Sequence, residues 1–220
     1  MIWNRDAETM APDARRALQL DRLRATIGSA GSRVPFYREA LGKAGLASGA
    51  LRDLEDLGAL AFTRKDHLRE HYPWGLFAVP RALVARVHAS SGTKGKPTVV
   101  GYTLRDLAVW REVMPRSLAA AGAEPGHLLQ IAYGYGLFSG GLGFHDGAEH
   151  MGLTVVPLSS GNTLRQILLL QDFHPHGLAC TPSFALHIGE TMREQGLDPR
   201  AIGLRYALLG AEPWTEAMRA

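Results

Sequence analysis

From about Ala82 onward the sequence repeats one rhythm: a short apolar run of strand length, a glycine-rich turn, then a stretch whose apolar residues recur at helical spacing. No other feature constrains the fold as much. Strands separated by helices pair side by side in a parallel sheet, and such a sheet must be covered on both faces. The rhythm predicts strands at 83–87, 98–102, 127–133, 154–158, 177–181 and 204–209, the first two forming a hairpin. Thr103 with Asp106, and Thr163 with Gln166, have the capping-box spacing that opens a helix. Before Ala82 the pattern is different. Leu20, Leu23 and Ile27 recur at helical spacing, and short pieces punctuated by proline and glycine follow, around 34–37 and 51–69. The expected fold class is therefore α/β, a doubly wound and mostly parallel sheet preceded by a small helical subdomain. The expected division is 1–81 for the helical part and 82–220 for the α/β part.

A chain of 220 residues is long enough to bury about 70% of the surface its unfolded form exposes. It needs no covalent staples, and Cys180, its only cysteine, cannot form an internal disulfide. The first residues lack the apolar core of a signal peptide, so a reducing cytoplasm is the expected home. No apolar run approaches the roughly 20 residues that span a bilayer, so no membrane partner is expected. The formal charge of +3 comes from lysines and arginines dispersed among acids, a solvated surface rather than a nucleic-acid footprint.

The loop from Ser90 through Ser91, Gly92, Thr93, Lys94 and Gly95 to Lys96 combines hydroxyl donors, glycines that permit close backbone approach, and two ammonium groups. That chemistry suits phosphate. It is not a Walker A loop, because Lys96 is followed by Pro97 instead of a serine or threonine. Three further segments fall just beyond predicted strands, where open α/β sheets bind ligands. They are the aromatic turn 133–141, the polar turn 159–163 and the segment 210–214. A dinucleotide fingerprint fails on spacing, since Gly134 and Gly136 would need a third glycine or alanine at Ser139.

Other residues carry blander readings. His67 and His71 match the H-x-x-E-H pattern of inverted zinc peptidases, but no third ligand is identifiable and no metal site is expected. Cys180 reads as a small buried hydrophobe, and Trp74, Trp110 and Trp214 read as packing residues.

Taken in order, several of these segments resemble the amino-terminal half of the phenylacetate-coenzyme A ligases, members of the acyl-adenylate-forming superfamily. The resemblance is carried by Val34-Pro35-Phe36-Tyr37, Tyr72-Pro73-Trp74-Gly75, the loop 90–96, Tyr133 to Phe138, Gly161-Asn162-Thr163, Cys180-Thr181-Pro182-Ser183 and Gly210-Ala211-Glu212-Pro213-Trp214, and covers almost the whole chain. It implies an incomplete adenylate-forming fold and a two-step activation of phenylacetate or a related aryl acid. ATP and Mg2+ serve the first step and coenzyme A is the cosubstrate of the second. It assigns the loop 90–96 to the β- and γ-phosphates, and Gly210, Ala211, Glu212 and Pro213 to adenine and the acyl group. Tyr135 and Phe138 would pack the aryl ring.

Two positions depart from the family pattern. Lys94 stands where threonine is usual, and Asp146 where tyrosine is more frequent. The resemblance also places the Mg2+-associated glutamate, the ribose-binding aspartate and the catalytic lysine beyond Ala220. The chain alone is accordingly expected not to complete the reaction, with a second copy or a missing carboxy-terminal half as the protein partner. The alternative is a non-catalytic nucleotide-binding or interaction fragment, or one half of a split ligase.

Overall fold

The computed structural model describes residues 1–47, 51–90 and 95–219. The chain divides into two compact units, Arg5–Leu104 and Met1–Asn4 with Arg105–Ala220.

The first unit begins with α1 (Arg5–Glu8), α2 (Pro12–Arg33) and α3 (Pro35–Lys43). Pro12 suits the first helical position, where no N–H partner is needed and its fixed φ is already helical. α2 stops because Val34 precedes Pro35: clash with the proline ring drives Val34 into an extended conformation, φ −116° and ψ 110°. Ile27 of α2 and Leu41 of α3 are buried with Leu46 and Leu51, and the predicted stripe residues Leu20 and Leu23 pack against them. α4 (Lys65–Glu70) follows, then β1 (Val84–Ala89) and β2 (Val99–Thr103), an antiparallel hairpin pairing His88 with Val100 and Ala89 with Val99. This hairpin, expected with the α/β part, belongs to the helical unit. The reason is that, among the described residues, β1 and β2 pair only with each other, as a separate two-stranded sheet.

The second unit holds the parallel sheet. Its elements are α5 (Leu104–Ala120), β3 (Leu128–Ile131), α6 (Gly140–Met151), β4 (Thr154–Val156), α7 (Thr163–Phe173), β5 (Gly177–Cys180), α8 (Pro182–Glu194), β6 (Tyr206–Leu209) and α9 (Glu216–Arg219). All pairings are parallel, in the order β4-β3-β5-β6. Alternation along the strands sorts the core into two layers. Leu129, Ile131 and Ala179 meet Leu118 and Ala119 of α5 with Ala148 and Met151 of α6. Leu178 and Cys180 meet Ile167 and Leu170 of α7 with Ile188 and Met192 of α8. Helices thus cover both faces, the doubly wound arrangement. α6 lies close against α5 because two of its positions have no side chain. A Cβ on Gly143 would sit 2.6 Å from the Trp110 ring, and one on Gly147 2.3 Å from Met114 Cβ. No described helix is long and apolar enough to cross a membrane.

Candidate ligand site at the switch point

β3 leads through α6 to β4 on one side, while β5 leads through α8 to β6 on the other. Where successive connections diverge, the loops beyond the strand ends separate and leave a crevice. Two cavities occupy this end of the sheet. One, of about 500 Å³, is lined by Gly134, Ser160, Thr181, Ser183, Phe184 and His187 among others. The second, of about 540 Å³, is lined by Phe144, Gly140 and the β6 residues leading to Gly210. Tyr133, Phe138 and Ala211 border both. Each volume falls in the range that accepts a small organic ligand.

Tyr133 is the fixed wall between them. It is buried, stacks on Phe144 with ring centroids 5.4 Å apart and planes 4° apart, and its hydroxyl lies beside Gly210, 3.7 Å from where a Cβ there would stand. Burial pushes its phenol up to about 12, so it is neutral at any ordinary pH. Phe138 stays half exposed, free to pack against a ligand. Tyr135, predicted as its partner, borders neither cavity. Its hydroxyl meets His145 Nδ1 at 3.2 Å, and His145 Nε2 meets Glu149 Oε1 at 3.0 Å, so the ring is turned toward α6. Burial and then the carboxylates of Glu149 and Asp146 push its phenol well above the ordinary range.

The polar turn is held from beneath. Ser159, Gly161 and Asn162 have φ of 70°, 84° and 48°, all left-handed. Gln166, fully buried, donates from Nε2 to Ser159 O at 2.7 Å and Gly161 O at 3.2 Å, and its Oε1 accepts from Gln130 Nε2 at 2.7 Å. The expected capping box of Thr163 and Gln166 is not formed. Asn162 caps α7 by accepting from Arg165 N, and Gln166 instead points inward, where two carbonyls need a donor. Ser159 Oγ accepts from Tyr135 N at 3.3 Å, tying this turn to the aromatic one.

The segment after β6 brings Gly210 and Ala211 to the cavities, while the Glu212 carboxylate accepts from Ser183 N at 2.6 Å. Hydrogen bonds from Ser183 hold that carboxyl below its usual range. Cys180 is fully buried at the end of β5, its thiol pushed up to about 12 by burial and then by the Glu212 charge. A thiol so raised is no nucleophile at neutral pH.

The phosphate-loop candidates belong to the helical unit. Ser90 Oγ accepts from Thr98 N at 3.0 Å and from Thr98 Oγ1 at 2.8 Å, which closes the base of the hairpin. The Lys96 ammonium lies 5.5 Å from the centre of the Tyr72 ring, and Gly95 has φ 124°. Ser91, Gly92, Thr93 and Lys94 lie outside the described residues. His67 and His71 both pack on Phe36, at 5.0 and 5.1 Å between ring centroids. His67 Nδ1 also accepts from Arg64 N, which is a packing and capping role. Among the described residues no group of three or more His, Cys, Asp or Glu side chains could hold a metal ion.

Phe184 and His187 were not foreseen as lining residues. The signal was available: they follow Thr181-Pro182 at positions that share one face of the first turns of α8.

No protein-family model matches the chain. In three dimensions it matches an open conformation of 2-hydroxyisobutyryl-CoA ligase, solved with 2-HIB-AMP and CoA, at a TM-score of 0.91 and 30% identity over 99% of this chain and 52% of that one. The same ligase in its thioesterification state gives a TM-score of 0.87 at 32% identity, over 93% and 45% of the two chains. The sheet and its crown of loops are therefore part of the adenylate-forming ligase fold. In sequence, the chain is 57% identical to phenylacetate-coenzyme A ligase of Thermus thermophilus over 219 residues, which is 100% of this chain and 49% of that protein. It is 52% identical to the enzyme of the same name from Aromatoleum evansii, over 97% and 48% of the two chains. The chain is a homologue of phenylacetate-coenzyme A ligase, and spans about half the length of the curated relatives it matches.

Proposed function

We propose that this chain supplies the phosphate loop and the acyl and adenine walls of a phenylacetate-coenzyme A ligase. The observation that carries the reading is the switch-point crevice, whose apolar walls are Tyr133, Phe138 and Phe184 and whose floor is the small backbone of Gly134, Gly210 and Ala211. In the first step a carboxylate oxygen of the aryl acid attacks the α-phosphorus of ATP, the bond to the β-phosphate oxygen breaks, and pyrophosphate leaves. In the second the coenzyme A thiol attacks the acyl carbon and AMP leaves.

Charge accumulates on phosphate oxygens in the first step, so donors already in place lower the barrier. Ser90 and Lys96, with Ser91, Gly92, Thr93, Lys94 and Gly95, would bind the β- and γ-phosphates. Gly210, Ala211 and Pro213 would border the adenine ring, while Phe138 and Phe184 hold the aryl group and exclude water. Mg2+ would neutralise phosphate charge when bound. The described residues contain no cluster that fits it, and no step here is assigned to it. The partners in this reading are an aryl acid, a nucleotide, coenzyme A and the remainder of the ligase fold. A reducing cytoplasm suits the single buried thiol.

Calorimetric titration tests this. Phenylacetate and AMP should each bind the wild-type chain. Phe138→Ala should weaken phenylacetate about tenfold, the usual cost of removing an aromatic wall, and leave AMP within a factor of three. Lys96→Ala should weaken ATP more than AMP. Wild-type protein that binds neither AMP nor phenylacetate would defeat the reading.

A further inference from the structure

The backbone of Ala211 has φ 73°, a left-handed conformation that a side chain disfavours, at the point where both cavities meet. Strain of this kind persists only where the surroundings hold it in place. Two neighbours do so. On the amino side Gly210 lies against the Tyr133 hydroxyl, which is 3.7 Å from where a Cβ on Gly210 would stand, and the Tyr133 ring is itself fixed against Phe144. On the carboxyl side Glu212 Oε1 accepts from Ser183 N at 2.6 Å.

That second bond also completes α8. Thr181, at its N-cap position, makes no side-chain cap, so an N–H of the first turn is satisfied by a carboxylate from a separate loop. A negative charge at a helix amino terminus is favoured by the exposed N–H groups and the helix dipole. The resemblance assigns Glu212 to nucleotide contact. In the structure its carboxylate is occupied by the protein.

We propose that Glu212 is a positioning residue whose bond to the Ser183 N–H latches Ala211 in its left-handed conformation, setting the affinity of the crevice for nucleotide without touching it. The proposal rests on the reading that the crevice binds an adenylate. Its reach is the loop 210–213 and the first turn of α8.

The test compares the wild-type chain with Glu212→Gln, which keeps an Oε1 acceptor, and Glu212→Ala, which has none. Amide hydrogen exchange at Ser183 reads the latch, and AMP titration reads its consequence. Exchange should stay slow in wild type and Glu212→Gln and quicken about tenfold in Glu212→Ala. AMP should bind Glu212→Gln within a factor of three of wild type and Glu212→Ala about tenfold more weakly. Equal exchange in all three proteins overturns the latch. Faster exchange with unchanged AMP affinity overturns the positioning role, and so does an equal loss of affinity in both variants, which marks a carboxylate that contacts the ligand. Failure of the wild-type protein to bind AMP instead defeats the nucleotide reading and the affinity part of the proposal, while exchange at Ser183 still decides the latch.

Discussion

At their carboxyl ends β3, β5 and β6 run out into Tyr133-Gly134, Thr181 and Gly210-Ala211, and two open cavities remain between them. At their amino ends the same strands begin near His127, His176 and Tyr206, and three rings close the space. His127 and His176 stack at 4.3 Å with planes 8° apart, and Tyr206 lies 5.9 Å from His127. His127 Nδ1 accepts from Glu124 N at 3.3 Å and His176 Nδ1 from Leu128 N at 3.1 Å. One end turns its aromatic rings and ring nitrogens inward on the protein; the other keeps small residues and left-handed backbone at an opening. Ligand capacity in this sheet follows from where the side chains fail to meet.

The sharpest way to break this comparison is to add one methyl group at each end. A Cβ on Gly177, at the start of β5, would sit 2.1 Å from the Tyr206 ring, with no space to yield. Gly177→Ala should cost about 3 kcal/mol, the upper range for overpacking a core. A Cβ on Gly134 would meet Ser160 Oγ at 3.4 Å, an ordinary contact, and Gly134→Ala should cost less than about 1 kcal/mol. Urea unfolding of the two variants measures the difference. Equal losses would show that the carboxyl end is as closed as the amino end.

Next in size is the polar support beneath the open end. Gln166→Leu removes the donor to Ser159 O and Gly161 O and leaves Gln130 Nε2 only the longer bond to the backbone O of residue 166, at 3.3 Å. Unmet buried groups of this kind cost about 2 kcal/mol in all after relaxation. Gln166→Glu, protonated in so dry a site, keeps one donor for Ser159 O and should recover part of the loss. If Gln166→Leu were as stable as wild type in the same urea assay, the left-handed turn would not depend on this network.

The smallest expected effect comes from pH at the closed end. His176 is held below its ordinary value, by burial first, then by His127 and Arg205. Its unfolded form therefore takes up a proton at a higher pH than its folded form. Stability is unaffected well above 6.5 and falls as pH drops through and below that value. Urea midpoints at pH 7.5, 6.5 and 5.5 should decline in that order, in a window above the titration of most carboxylates. A flat profile, or a rise toward acid, would remove the neutral histidine stack as a support of this end.

The strands of the sheet were legible in the sequence because each is a short apolar run that must be buried. Three assignments were not. The pairing of β1 with β2 was legible, but the hairpin has the same local pattern as strands of the sheet, and nothing in its own residues says which unit it joins. Thr163 and Gln166 have the spacing of a capping box, yet Asn162 caps α7 and Gln166 turns back to the Ser159 and Gly161 carbonyls of the turn that leads into α7. Tyr135 and Phe138 are equivalent as aromatic residues of one glycine-rich turn. Only the position of His145 on α6 separates them, engaging Tyr135 and leaving Phe138 at the cavities.

By itself the sequence determined the βα order, the two-sided burial of the sheet and the presence of small residues at the strand ends. Those follow from local periodicity and from the steric freedom of individual residues. Tertiary structure alone decided where Ala211 sits, that the Glu212 carboxylate is spent on α8, and which aromatic rings wall the crevice. The physical reason is range: hydrogen bonds and ring contacts between residues far apart in the chain form only after the strands have set the distances, and no local pattern encodes them.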